Sequence, residues 1–342
     1  MGTRRFAAFM LTFLVAASLT ALGVRLITSG LAAMGCRQYR GSDAFLAYCD
    51  TEHFAYYEHG AMFLGLEPEA TAALRRADVI FFGTSRVQFA FSTDAVRRYF
   101  KDRSIPFYLL GFSYGESAML PMSIAQREHL RPKVAVMTTD PFFTPGGSPA
   151  ARALVDSESS WTVRAKVWAE YASKKAFAAA QRAICSAAPS ACPQNIGSLY
   201  RRYSDGTWIW RETWWGPAPP HPMPDDQLTL EAWPPSNAAT DREYALRFLA
   251  TAGVKPECAV ITAPPNDYRN FESYAKSLGS AIGANIIIPQ LSGLTGIDTS
   301  HLDWESATRW SQAFLTELDP IIRRCVGQQH GPSVTSSLDP SP

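Results

Sequence analysis

The chain has 342 residues, 46% hydrophobic, 12% aromatic and only 18% charged, a composition that can bury a large core and is not that of a disordered tail. Lys and Arg number 32 against 31 Asp and Glu, a formal charge of +1, which removes the broad positive field that a non-specific nucleic-acid binder needs, so no nucleic acid is expected as a partner. A mean hydropathy of −0.10 excludes a polytopic membrane protein, because several spans of about 20 apolar residues would push it well above zero; at most one fits.

That span is expected at the start. Arg4 and Arg5 precede a charge-free run from Phe6 to Val24, rich in Phe, Leu, Ala and Val, before Arg25 interrupts. A cleaved signal peptide would have a shorter apolar region, about 7–15 residues, and a small-x-small site, which does not stand before Arg25. A buried amphipathic helix would need a polar face. Residues 1–28 therefore read as a cytoplasmic start and an uncleaved signal anchor, a single transmembrane helix in the inner membrane. Arg4 and Arg5 stay in the cytoplasm, and the bulk of the chain is periplasmic or otherwise extracytoplasmic.

All six cysteines follow this run, and export to an oxidising compartment makes paired cysteines the expectation. Sequence proximity favours Cys36 with Cys49 and Cys185 with Cys192, which leaves Cys258 and Cys325 to tie a late strand to the C-terminal helix. No C-x-x-C or clustered Cys/His spacing suggests a metal, and no cofactor is expected. Lipidation of Cys36 is the competing use, although Ala33-Met34-Gly35 matches a lipobox poorly and an odd thiol would remain.

After a membrane-proximal segment, 29–76, strands alternate with helices, which argues α/β. Short apolar runs fit buried parallel strands at Asp78–Phe82, Pro106–Leu110, Val134–Thr138, Ala259–Thr262 and Asn285–Ile288. Helices are expected at Thr93–Phe100, Glu116–Leu130, Arg242–Thr251, Phe271–Ile282 and Trp304–Arg324, the last with Asp303 as N-cap. The interval from about 142 to 240 is too long for a connection in a compact sheet and reads as an insertion within the domain spanning 77–325. Its first half, Ala150–Ala188, is helical and its second half dense in Trp and Pro. The tail, 326–342, lacks apolar periodicity and is expected to be disordered.

Two segments could carry chemistry. The first expected strand runs into Gly83-Thr84-Ser85-Arg86 at its carboxyl end, where open α/β sheets place their ligands. A serine there stands on a tight turn whose following helix can direct N–H groups at a developing oxyanion. Far along the chain, Asp298-Thr299-Ser300-His301 precedes the last helix. A carboxylate at Asp298 could accept from His301 Nδ1 and leave Nε2 free to take a serine proton. Each string alone is more often an ordinary turn and helix cap.

Together, in this order and at opposite ends of an α/β domain, they resemble the SGNH/GDSL hydrolase superfamily. The Gly-Thr-Ser-Arg start and the N-terminal anchor look like its membrane-anchored, exported branch associated with cell-envelope O-acyl chemistry. The resemblance covers about 77–143 and 257–324. It implies a three-layer, flavodoxin-like parallel sheet of about five strands, with Ser85 as nucleophile and Asp298 and His301 as its partners. In the second family block a glycine N–H joins the oxyanion hole. Leu110-Gly111-Phe112-Ser113-Tyr114-Gly115 offers Gly111 or Gly115, the latter opening the next helix. The third block departs: Gly-x-Asn-Asp is expected, whereas Met137-Thr138-Thr139-Asp140 has no Asn. Thr139 could donate through its hydroxyl, but an ionised Asp140 cannot donate, and one lost oxyanion donor costs about 10²–10³ in rate. Asn266-Asp267 is the other place to look, though it fits the Pro-rich turn after the fourth strand.

In the insertion, Trp208, Trp210, Trp214, Trp215 and Trp233 lie among Tyr200, Tyr203, Arg201, Arg202 and Arg211. Flat rings suit sugars and arginine suits carboxylate or phosphate; anchoring a long loop to the core is the competing use. Arg86, Trp214 and Trp215 are the candidate substrate contacts. The expected function is that of a serine esterase or O-acyltransferase on an acylated envelope saccharide or another ester, with a membrane acyl-transfer partner conceivable. The alternatives are an inactive glycan-binding or envelope-assembly protein of the same fold, and a lipase-like esterase.

Overall fold

The computed structural model describes residues 3–34, 36–49, 57–113, 116–140, 142–144, 146–156, 161–188, 197–214, 219–232 and 238–327. In chain order the elements are α1 (Thr3–Met34), β1 (Ala44–Cys49), α2 (Tyr57–Leu64), α3 (Pro68–Arg76), β2 (Val79–Gly83), α4 (Ser85–Phe91), α5 (Asp94–Asp102), β3 (Phe107–Gly111), α6 (Met119–Arg127), β4 (Val134–Thr138), α7 (Pro149–Asp156), α8 (Trp161–Ala187), β5 (Ser198–Arg202), β6 (Trp208–Ile209), β7 (His221–Pro222), α9 (Ala238–Ala252), β8 (Ala259–Thr262), α10 (Glu272–Ile282), β9 (Asn285–Ile286), β10 (Thr295–Gly296) and α11 (Trp304–Cys325). They divide into two compact units, one of residues 1–68, 149–203 and 208–216, the other of residues 69–148, 204–207 and 217–342.

The first unit joins residues 1–68 to much of the segment between β4 and α9. β1 alternates buried and half-buried residues, the mark of a strand with one face on a core. It pairs antiparallel with β5, from Ala44 opposite Arg202 to Cys49 opposite Ser198, and β5 pairs with β6. The fully buried Arg201 donates from Nε and Nη2 to Glu58 Oε2 of α2 at 3.0 and 2.9 Å, and Trp208 Nε1 donates to the same oxygen at 3.3 Å. Gly60 lets α8 approach α2, since a Cβ there would lie 2.7 Å from Val167 Cγ1. Trp208, Trp210 and Arg201 are therefore interior groups, as anchoring of a long loop requires, and a saccharide platform is not formed by these three.

The expected membrane span is not found as such. Among the described residues no helix is long and apolar enough to cross a membrane. The side chains of residues 3–5, 7, 8, 22 and 25–34 of α1, the arginines included, lie outside the description. Of the rest, Phe6, Phe9, Leu11, Phe13, Leu14 and Leu19 are each more than half exposed.

The second unit carries a five-stranded parallel sheet of order β3-β2-β4-β8-β9, an α/β arrangement compatible with a flavodoxin-like fold. β2, β3, β4 and β8 are buried throughout, as continuous apolar runs in a doubly covered parallel sheet must be. Val79, Phe81, Val134, Val136 and Val260 share a core with Phe91, Val96, Phe100, Trp310 and Phe314 from α4, α5 and α11. On the other face Phe82 meets Phe248 of α9 edge-on, ring centroids 4.9 Å apart.

Two disulfides join the expected pairs, Cys36–Cys49 and Cys258–Cys325, with Cα atoms 6.0 and 5.9 Å apart. The sulfur of Cys36 is thus not available for a lipid. Cys185 is disulfide-bonded, while Cys192 and residues 328–342 lie outside the described residues.

Candidate active site

Ser85 is the first residue of α4, two positions beyond Gly83 at the carboxyl end of β2. Thr84 takes an extended conformation (φ −93°, ψ −165°) as the N-cap, its Oγ1 accepting from Arg86 N at 3.3 Å. That cap turns the chain sharply from strand to helix and holds the Ser85 hydroxyl at the sheet edge. Gly111, at the end of β3, is small for packing: a Cβ there would lie 2.7 Å from Thr84 O.

The loop before α11 is fixed from both sides. β10 pairs antiparallel with β7, Ile297 N donates to His301 O at 3.0 Å and Asp303 N to Thr295 O at 3.0 Å. Asp303 caps α11, its Oδ1 accepting from Ser306 N at 2.8 Å, so the packing of Trp310 and Phe314 anchors the loop. Within it, Asp298 Oδ1 accepts from Ser300 N at 2.7 Å and from His301 N at 2.9 Å, an Asx turn that places carboxylate and imidazole side by side.

The three residues named from the sequence meet. Ser85 Oγ lies 2.9 Å from His301 Nε2, and His301 Nδ1 lies 2.8 and 3.0 Å from Asp298 Oδ2 and Oδ1. A carboxylate only accepts, so the proton sits on Nδ1, and the Ser85 hydroxyl donates to the bare Nε2. Burial pushes the Asp298 carboxyl up, but the hydrogen bonds and charge of His301 and the N–H groups of Ser300 and His301 outweigh it and hold the carboxyl below its ordinary range. The Phe89 ring lies 4.3 Å from the imidazole, centroid to centroid, and closes one side. Ser85 is 7% exposed and the His301 side chain 14%, while Asp298 is 52% exposed at the outer end.

The oxyanion candidates fare unevenly. Gly115 and Trp215 lie outside the described residues. Gly111 O accepts from Gln88 Nε2 at 3.2 Å. Thr139 is spent on the sheet, its N–H and hydroxyl both donating to Thr262 O at 3.2 and 3.3 Å. Asp140 Oδ2 accepts from the Thr84 hydroxyl. Asn266 closes its own turn, Oδ1 accepting from Tyr268 N and Arg269 N at 3.1 and 2.9 Å and Nδ2 donating to Arg269 O at 2.8 Å. Trp214 belongs to the first unit, its ring 6.0 Å from that of Tyr48.

Sequence reasoning missed His221. Its Nε2 lies 2.9 Å from Asp267 Oδ2, and Asp267 N donates to Thr299 O at 3.1 Å, so this pair buttresses the loop that carries His301. The only signal was a histidine inside Pro219-Pro220-His221-Pro222, where no periodicity points to a strand. Comparison with models of known families, with curated proteins and with solved structures finds no match.

Proposed function

We propose that the chain is a serine-dependent ester hydrolase or O-acyltransferase of the SGNH/GDSL type, membrane-anchored and exported, acting on acyl esters of an envelope glycan. The observation that carries this reading is the continuous path from Ser85 Oγ through His301 to Asp298 at the carboxyl edge of a parallel sheet. Disulfides and the exposed apolar side chains of α1 support the exported, anchored setting.

Ser85 Oγ attacks the ester carbonyl while His301 Nε2 takes its proton, and the carbonyl electron pair moves onto oxygen. Collapse of the tetrahedral intermediate expels the alcohol, which receives that proton from His301 and leaves an acyl-Ser85. Water or a sugar hydroxyl then gives its proton to Nε2 and attacks the acyl carbonyl; Ser85 leaves and recovers the proton. Water as acceptor gives hydrolysis, a sugar gives transfer. Asp298 holds the imidazole in the required tautomer and stabilises its cation. Ser85 N–H, at the head of α4, is the oxyanion donor that the described residues best support.

A second reading, a glycan-binding protein that has lost turnover, is favoured by one observation: both donors of Thr139, the residue standing where the family pattern has a donor, are engaged by Thr262. Turnover of a small acetyl ester by the full chain separates the two. The enzyme reading requires activity that Ser85→Ala abolishes. The binding reading requires saturable saccharide binding that survives His301→Ala with no turnover in either protein.

A further inference from the structure

Next to the nucleophile in sequence stands a cation that has no counter-ion among the described residues. Arg86 is 3% exposed; its Nη2 donates to the carbonyl of Pro264, and its guanidinium lies over the Phe271 ring, 4.8 Å from the centroid. Nε and Nη1 are buried and have no hydrogen-bond partner among the described residues. An arginine cannot escape by releasing its proton, and neither a carbonyl nor a ring neutralises it, so a buried guanidinium with unused N–H groups is destabilising unless an anion meets it. Asp140, which reaches the same turn, makes no ion pair with it among the described residues: Oδ1 is buried without a partner there, and Oδ2 accepts from Thr84.

The same sheet edge holds further unused donors. Thr138 and Thr262 are register partners at the last rung of β4 and β8, so their side chains share the face covered by α4 and α11. Both hydroxyls are buried without partners among the described residues. Thr138 packs against Gly83, the residue from which the chain turns to Ser85. Two unused N–H groups of Arg86, the residue after the nucleophile in α4, and two unused hydroxyls at the last rung of the sheet thus lie at the same carboxyl edge.

We propose that Arg86 receives an oxyanionic substituent, carboxylate or phosphate, of the molecule bound at Ser85, so that the substrate is an acidic acylated saccharide rather than a neutral one. This rests on the esterase reading for the ester but not for the anion. A guanidinium suits both anions because its planar N–H groups match paired oxygens, whereas a lysine would offer a point charge.

The test uses the full chain carrying Ser85→Ala, in which no turnover is required, and follows thermal unfolding with inorganic phosphate and with glucuronate. A rise in Tm with either anion that vanishes on adding Arg86→Met is the expected result, and the anion giving the larger rise identifies phosphate or carboxylate. If Arg86→Met fails to fold, Arg86→Lys is expected to bind the anion about 10-fold more weakly, the lower end for a hydrogen bond to a charged group. Asp140→Asn retains the response. No rise with either anion, or a rise that persists in both arginine variants, overturns the proposal. So does equal loss with Asp140→Asn, which would make Arg86 half of an internal ion pair. In the serine-intact chain, an O-acetylated glucuronic acid is expected to exceed its neutral methyl ester by about 10–100-fold in kcat/KM, a ratio that falls to about 1 in Arg86→Met. If neither ester turns over while the anion response stands, the esterase reading fails and the anion site remains.

Discussion

Asp298→Asn tests the division of labour within the site, because the substitution keeps shape and removes one acceptor. With its amide oxygen at the Oδ1 position, Asn keeps the bonds from Ser300 N and His301 N but sets its NH₂ where Oδ2 lies 2.8 Å from His301 Nδ1. Two donors then face each other, since the oxygen at Oδ1, 3.0 Å from Nδ1, already accepts from two backbone N–H groups, and the imidazole relieves this by moving its proton to Nε2, where it can no longer accept from Ser85. Turning the amide restores the acceptor for Nδ1 but loses both backbone bonds, about 1 kcal/mol each. Loss of the carboxylate charge adds roughly 1–2 kcal/mol, since Asp298 is half exposed and the effective dielectric is nearer to water than to the interior. The sum, about 3–4 kcal/mol, lowers kcat for a small acetyl ester by about 10²–10³. The assay is single-turnover release of the alcohol, with ¹⁵N shifts of His301 reporting the tautomer. Activity within about threefold of wild type, or a His301 proton that stays on Nδ1 in an inactive variant, would refute the reasoning.

Three further outcomes follow from the same structure. Replacing Cys258 and Cys325 by Ala opens a loop with a sequence separation of 67 and is expected to cost about 4 kcal/mol on the chain-entropy relation, read as a lower denaturant midpoint under non-reducing conditions. Asp241 is buried with Oδ1 unpartnered among the described residues, and burial raises its carboxyl although Tyr274 donates to Oδ2 at 2.8 Å. The folded state therefore resists its ionisation, stability falls as pH rises through the ordinary carboxylate range, and Asp241→Asn raises Tm at pH 7 but not below pH of about 3. For Asp298 the sign is opposite: its folded carboxyl is depressed, so its contribution is complete above the unfolded value of about 3.9 and lost only as pH falls through the depressed value. A carboxyl ¹³C titration of Asp298 with its midpoint at or above that unfolded value would contradict this.

Much of the second unit was legible because its signals are local. Val134–Thr138 and Ala259–Thr262 are strands with the expected ends, since a continuous apolar run with both faces covered has few alternatives. Asp303 starts α11 as expected because a cap acts over three residues. The D-x-x-H spacing carried its own geometry, one Asx turn setting both His301 and Asp298. What was missed depends on partners far along the chain. α2 hides Glu58 in a core only because Arg201, at a sequence separation of 143, neutralises it, and that same pairing turns an expected surface arginine inward. α4 gave no helical period because all seven of its residues are buried. β1 and β5 pair across the insertion, a register no window of sequence contains.

The central claim is that the Ser85 hydroxyl is a nucleophile that His301 activates. The most direct measurement is peptide mass analysis of the full chain after exposure to a fluorophosphonate. The account predicts one covalent adduct, on Ser85, formed much more slowly in His301→Ala and absent in Ser85→Ala. A chain that hydrolyses esters with Ser85 unlabelled, or that labels Ser85 equally well without His301, would contradict it.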